Sequence, residues 1–79
     1  MTTDRAQWFA FRAYNQEARY GWGDAAEADE YCDLLNTGRA INLYQVYPLD
    51  DREAAELRLD DRDDTVNLDD ALAAHKGLR

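Results

Sequence analysis

The chain has 79 residues, of which 46% are hydrophobic and 11% aromatic, enough for one small domain (1–79) with a packed core and too apolar for wholesale disorder. Its formal net charge of −8 disfavours direct binding of nucleic acid or of an anionic membrane surface, because phosphates are repelled, and favours a basic partner. No apolar run approaches the roughly 20 residues that a membrane span requires.

Gln7 to Tyr14 reads as a strand, with Phe9, Phe11 and Ala13 on one face and Trp8, Ala10, Arg12 and Tyr14 on the other. Asn15 to Ala18 suits a hairpin loop, and Arg19 to Trp22 returns as a second strand with Tyr20 and Trp22 on one face. Gly21 and Gly23 interrupt that strand, which marks a bulge or a close approach of another element. A helix starts after Asp24, an N-cap with Glu27 in the position that completes a capping box. Ala25, Ala28, Cys32 and Leu35, flanked by Tyr31, form its apolar stripe, and Asn36-Thr37-Gly38 ends it. Ala40 to Tyr47 reads as a third strand that Pro48 terminates or confines to an edge.

Asp50 caps a short helix reaching about Leu59, with Glu53 completing a second capping box and Leu49, Leu57 and Leu59 as apolar contributors. Asp60 to Asp64 reads as a polar loop. Asn67 or Thr65 starts a final helix to about Lys76, with Leu68, Ala71, Leu72 and His75 on one face and Gly77 as its stop. The expected architecture is α+β: a β-hairpin, a helix and a third strand forming a three-stranded antiparallel sheet, followed by one or two short C-terminal helices in an acidic part covering about 50–79. The third strand can lie beside either member of the hairpin. One helix covers only one sheet face, so the other is covered by the C-terminal helices, by a partner, or by a second copy in a homodimer.

Ten acids and three arginines lie between Asp50 and Asp70, a local net of −7 against −8 for the whole chain. One reading is a solvated surface with acids at helix N-termini. The sharper reading is imitation of a phosphate backbone, in which Asp50, Asp51, Glu53, Glu56, Asp60, Asp61, Asp63 and Asp64 occupy a basic channel built for nucleic acid. The run Asp61, Asp63, Thr65, Asn67, Asp69 has the alternate oxygen ligands of a calcium loop, but Val66 and Leu72 stand where its Gly and Glu belong, so no metal is assigned.

Catalysis finds little footing, and no enzyme activity or cofactor is expected. The chain contains no serine, which closes the serine-nucleophile routes and removes the attachment point of a carrier protein. Cys32 and His75 are the sole Cys and His; Cys32 lies on an apolar stripe as a small hydrophobe, and His75 sits near a helix end. Gly21-Trp22-Gly23 lacks the third glycine of a phosphate-binding turn, and Asp24 would repel the phosphate. A single cysteine and a Met1–Arg5 segment unlike a secretory leader lead to the expectation of a cytoplasmic protein.

The short acidic chain, its aromatic strands and the acids from Asp50 to Asp70 resemble the small anti-CRISPR proteins encoded by bacteriophages. The segment from Tyr20 to Tyr31 looks like a strand-to-helix junction of small bacterial and phage domains. The resemblance is one of type and carries no diagnostic motif, so it transfers no residue role. It implies a non-catalytic inhibitor in the host cytoplasm that blocks the DNA-binding channel of a type I CRISPR effector. The alternative is a regulatory module, antitoxin-like or an accessory subunit, that docks through the aromatic sheet face.

Overall fold

Period-two alternation in the first strand sets the architecture, because both of its faces are buried. The computed structural model describes residues 6–76. Strand β1 (Gln7–Arg12) pairs antiparallel with β2 (Arg19–Gly23) and with β3 (Gln45–Pro48). A fourth strand, β4 (Thr65–Asn67), runs parallel to β2, giving a mixed sheet in the order β3-β1-β2-β4. The helices are α1 (Ala25–Asn36), α2 (Asp51–Leu57) and α3 (Leu68–Lys76), with a 3-10 turn at Leu59–Asp61 between α2 and β4.

The α+β class is as expected, but the sheet has four strands rather than three and is not wholly antiparallel. Two separate cores result. On one face Phe9 and Phe11 pack with Ala28, Tyr31 and Cys32 of α1, with Leu68 and Leu72 of α3, and with Tyr44. Phe11 meets Tyr31 edge to face, with ring centroids 5.2 Å apart. On the other face Ala10 and Tyr20 pack under Leu49 and Leu59, with Trp8, Ala54 and Leu57 at the margin. Each large side chain so buried contributes about 1.5–3 kcal/mol of transfer free energy. The C-terminal helices therefore cover both sides: α3 joins α1, and α2 takes the opposite face.

Glycine has a definite task in β2. A Cβ built on Gly21 would stand 2.5 Å from Leu68 Cδ2, and one on Gly23 would stand 2.9 Å from Leu68 Cβ. The two glycines form a floor on which α3 seats its first residue, the close approach that interruption of the strand foretells.

Both capping boxes form. Asp24 Oδ1 accepts from the Glu27 N–H at 2.8 Å, and Glu27 Oε1 accepts from the Asp24 N–H at 3.1 Å; Asp50 and Glu53 repeat the arrangement at the same two distances. Asn67, not Thr65, caps α3, its Oδ1 accepting from the Asp70 N–H at 3.2 Å, while Thr65 belongs to β4. Ala25 and His75 prove exposed, and Gly77 lies outside the described residues.

The largest departure lies between Ala40 and Tyr44, read as strand and found as a loop; β3 begins only at Gln45. Asn36 at the end of α1 takes both backbone groups of Tyr44, its Oδ1 accepting from the N–H at 2.6 Å and its Nδ2 donating to the carbonyl at 3.1 Å. Asn42 adopts a left-handed backbone (φ 55°), and Arg39 donates to its carbonyl from Nε and Nη2. Tyr44 turns into the core, whereas Ile41 and Leu43 lie exposed. β3 is an edge strand, as Pro48 requires.

Candidate partner-binding face

The candidate face is assembled from α2, the 3-10 turn and the segment leading to β4. Leu49 and Leu59 anchor it by burial, and Ala54 and Leu57 turn α2's apolar side toward the sheet. That orientation leaves all eight predicted acids exposed: Asp50, Asp51, Glu53, Glu56, Asp60, Asp61, Asp63 and Asp64. Against them stand Arg52, Arg58 and Arg62, so the segment 50–64 keeps a net charge of −5. The expected loop at Asp60–Asp64 is half turn: Arg58 in a left-handed backbone (φ 55°) ends α2 and starts the 3-10 turn that carries Asp60 and Asp61.

The eight acids divide into capping, paired and free groups. Asp50 and Glu53 are committed to the cap of α2, and Glu56 faces Arg52 at 3.5 Å in a fully exposed pair worth little. Arg62 forks onto Asp64 with two bonds of 2.8 Å, which holds the Asp64 carboxyl below its ordinary range and the Arg62 guanidinium above its own. The carboxylates of Asp51, Asp60, Asp61 and Asp63 make no hydrogen bond or ion pair with another described residue. These four carboxylates are free to meet a partner, while Asp50 and Glu53 keep their negative charge in the cap.

Aromatic rings border the acids on the same side of the sheet. Trp8 and Trp22 face each other across β1 and β2 in an edge-to-face pair, with centroids 5.4 Å apart and planes at 66°. Together with Asp60, Thr65, Val66 and Asn67 they line a pocket of about 330 Å³. Tyr20, next along this face, lies under the Arg62 guanidinium at 5.1 Å. Tyr47 on β3 is 41% exposed beneath Arg12, and Trp22 is 40% exposed. Of the covers anticipated for the second sheet face, the C-terminal part supplies one through Leu49, Ala54, Leu57 and Leu59, and the aromatics Trp22 and Tyr47 reach solvent at its margins.

The hairpin register could have revealed the tryptophan pair in advance, since Trp8 and Trp22 lie symmetrically about the turn. Nothing in the sequence brings Asp60 to the same pocket, which Thr65, Val66 and Asn67 of β4 also line. The exposed Ile41 and Leu43 also escaped notice, since their alternation imitates a strand.

Cys32 is buried, and its thiol donates to the Tyr44 carbonyl at 3.2 Å. Burial pushes the thiol up from its ordinary value, helped by the charges of Asp33 and Asp29 and opposed by a hydrogen bond from Asn36. A thiol so placed is a poor nucleophile. Asp61, Thr65, Asn67 and Asp69 are spread over the 3-10 turn, β4 and α3, and among the described residues no three His, Cys, Asp or Glu side chains gather to hold a metal. No helix of the described residues is long and apolar enough to cross a membrane. Compared with known proteins, the sequence matches no family model, and no curated protein is significantly similar to it.

Proposed function

We propose that this domain is a non-catalytic binding protein whose acidic layer occupies a basic surface built for nucleic acid. Following the type it resembles, the target is the DNA-binding channel of a prokaryotic defence complex, a type I CRISPR effector. The observation that carries the reading is the set of four exposed carboxylates, Asp51, Asp60, Asp61 and Asp63, which pair with no other described residue and of which Asp60 lines the tryptophan pocket. The charge supplies long-range attraction to a phosphate-binding channel, and the aromatic rims supply desolvated contact area once the surfaces meet.

The test is DNA binding by a purified type I surveillance complex with and without the domain. Loss of target DNA binding, relieved by excess duplex DNA and by raised salt, is the expected result. DNA binding unaffected by a large molar excess of the domain refutes the proposal. A second reading is favoured by the exposed Trp22, Tyr47, Ile41 and Leu43: a regulatory module, antitoxin-like or an accessory subunit, that docks by apolar contact. Its signature is a complex that resists salt and DNA, and that Trp22→Ala weakens more than neutralisation of the acids.

A further inference from the structure

We infer that the Trp8–Trp22 pocket receives an arginine side chain of the basic partner; the inference rests on the binding role proposed above and names the chemistry of the anchor. The direct cross-strand pairing of Trp8 with Trp22 fixes two indole rings at one wall. Asp60 from the 3-10 turn and Thr65, Val66 and Asn67 from β4 complete the lining. An aromatic face carries negative potential and attracts a cation. The Asp60 carboxylate, which no described residue hydrogen-bonds or pairs, adds a full charge at the same place. The pocket of about 330 Å³ is at the small end of ligand sites, a size suited to one long side chain.

The same sheet face already holds a guanidinium in this manner. Arg62 lies 5.1 Å above the Tyr20 ring while forking onto Asp64 through two bonds of 2.8 Å. Tyr20 and Trp22 lie on one face of β2, paired with Thr65 and Asn67 of β4. The tryptophan pocket repeats the combination of ring and carboxylate one step along the strand, with Asp60 in the place of Asp64. Arg62 does not compete for Asp60, because its charge is taken up by Asp64. Arginine is favoured over lysine because its planar, weakly hydrated guanidinium can stack on an indole while its fork meets a carboxylate.

The test uses the tripeptide acetyl-Gly-Arg-Gly-amide and its citrulline counterpart, which has the same shape without the charge. Each is titrated into the whole protein at low salt while the indole N–H resonances of Trp8 and Trp22 are followed by NMR. The arginine peptide should shift both resonances saturably, with citrulline binding about fivefold weaker or less. Asp60→Asn should weaken the arginine peptide about fivefold, and Asp29→Asn at an exposed position of α1 should leave it unchanged, with the backbone spectrum of each variant confirming the fold. Equal binding of the two peptides overturns the inference. So does an equal loss in Asp60→Asn and Asp29→Asn, which would mark diffuse attraction to the net negative charge, or undiminished binding in a folded Trp22→Leu variant. Arginine binding in the pocket without any effect on a CRISPR effector would sink the proposed target alone, and the converse would sink the pocket alone.

Discussion

Replacing Asp51, Asp60, Asp61 and Asp63 together with asparagine separates the charge of the acidic layer from its architecture. None of the four carboxylates bonds another described residue, so the fold should survive, and the net charge falls from −8 to −4. Each exposed acid–base contact with a partner is worth about 0.2–1 kcal/mol. Four such contacts come to about 1–4 kcal/mol, a weakening of about fourfold to several hundredfold. A labelled ten-residue lysine peptide, followed by fluorescence anisotropy at about 50 and 200 mM salt, reads both the affinity and its salt dependence. The variant should bind more weakly and lose less affinity as salt rises. The contrasting variant is Asp50→Ala, which removes the acceptor of a 2.8 Å cap bond. It should cost about 1 kcal/mol of stability, or about 4–8 °C in Tm for a domain of this size, with little effect on peptide binding. The division of the acids fails if the four-asparagine variant binds as tightly as the parent, or if it melts as early as Asp50→Ala.

Three further outcomes follow from the core. Gly21→Ala should destabilise by about 1–3 kcal/mol in urea unfolding and Leu68→Ala by about 2–5 kcal/mol, whereas the double variant should lose at least about 1 kcal/mol less than their sum, because the new methyl enters the space the leucine leaves. Asn36→Ala should cost about 1–3 kcal/mol, since it strips the partners from both backbone groups of Tyr44, and hydrogen exchange should rise across residues 37–44. Alkylation of Cys32 by iodoacetamide at pH 8 should be at least about tenfold slower in the native protein than in denaturant, because burial both shields the thiol and depletes the thiolate. The raised thiol value has a definite sign in stability: its contribution is complete below the unfolded thiol's ordinary range and declines as pH climbs through the folded value.

Local signals were legible and long-range ones were not. Asp24 with Glu27 and Asp50 with Glu53 mark their helix starts within four residues, and both boxes form as spaced. Phe9 and Phe11 share a buried face because a strand leaves them no other choice. The strand read at Ala40–Tyr44 fails because its alternation competes with side chains that claim the backbone: Asn36 binds Tyr44, and Arg39 binds Asn42. Thr65-Val66-Asn67 is too short to announce a strand, and its parallel pairing with β2 joins residues more than forty positions apart. The acids of the candidate face were legible as a composition, but their division into capping, paired and free groups depends on where Arg52, Arg62 and the helix ends come to lie.

The strand order β3-β1-β2-β4 has a consequence for how the chain is made. The hairpin at the centre of the sheet is synthesised first, and later strands are added outward on either side. At about 5–20 residues per second, making 79 residues takes about 4–16 s, whereas a hairpin closes in about 1–10 μs. A lone hairpin is marginal in water, so Trp8, Phe9 and Phe11 wait for seconds without their full cover. α1 arrives early enough to shelter the phenylalanines, but the glycine floor stays bare until Leu68 leaves the ribosome. The last helix therefore completes the first core, and a chain stopped before Leu68 presents an apolar, half-roofed sheet to the proteases and chaperones of the cell.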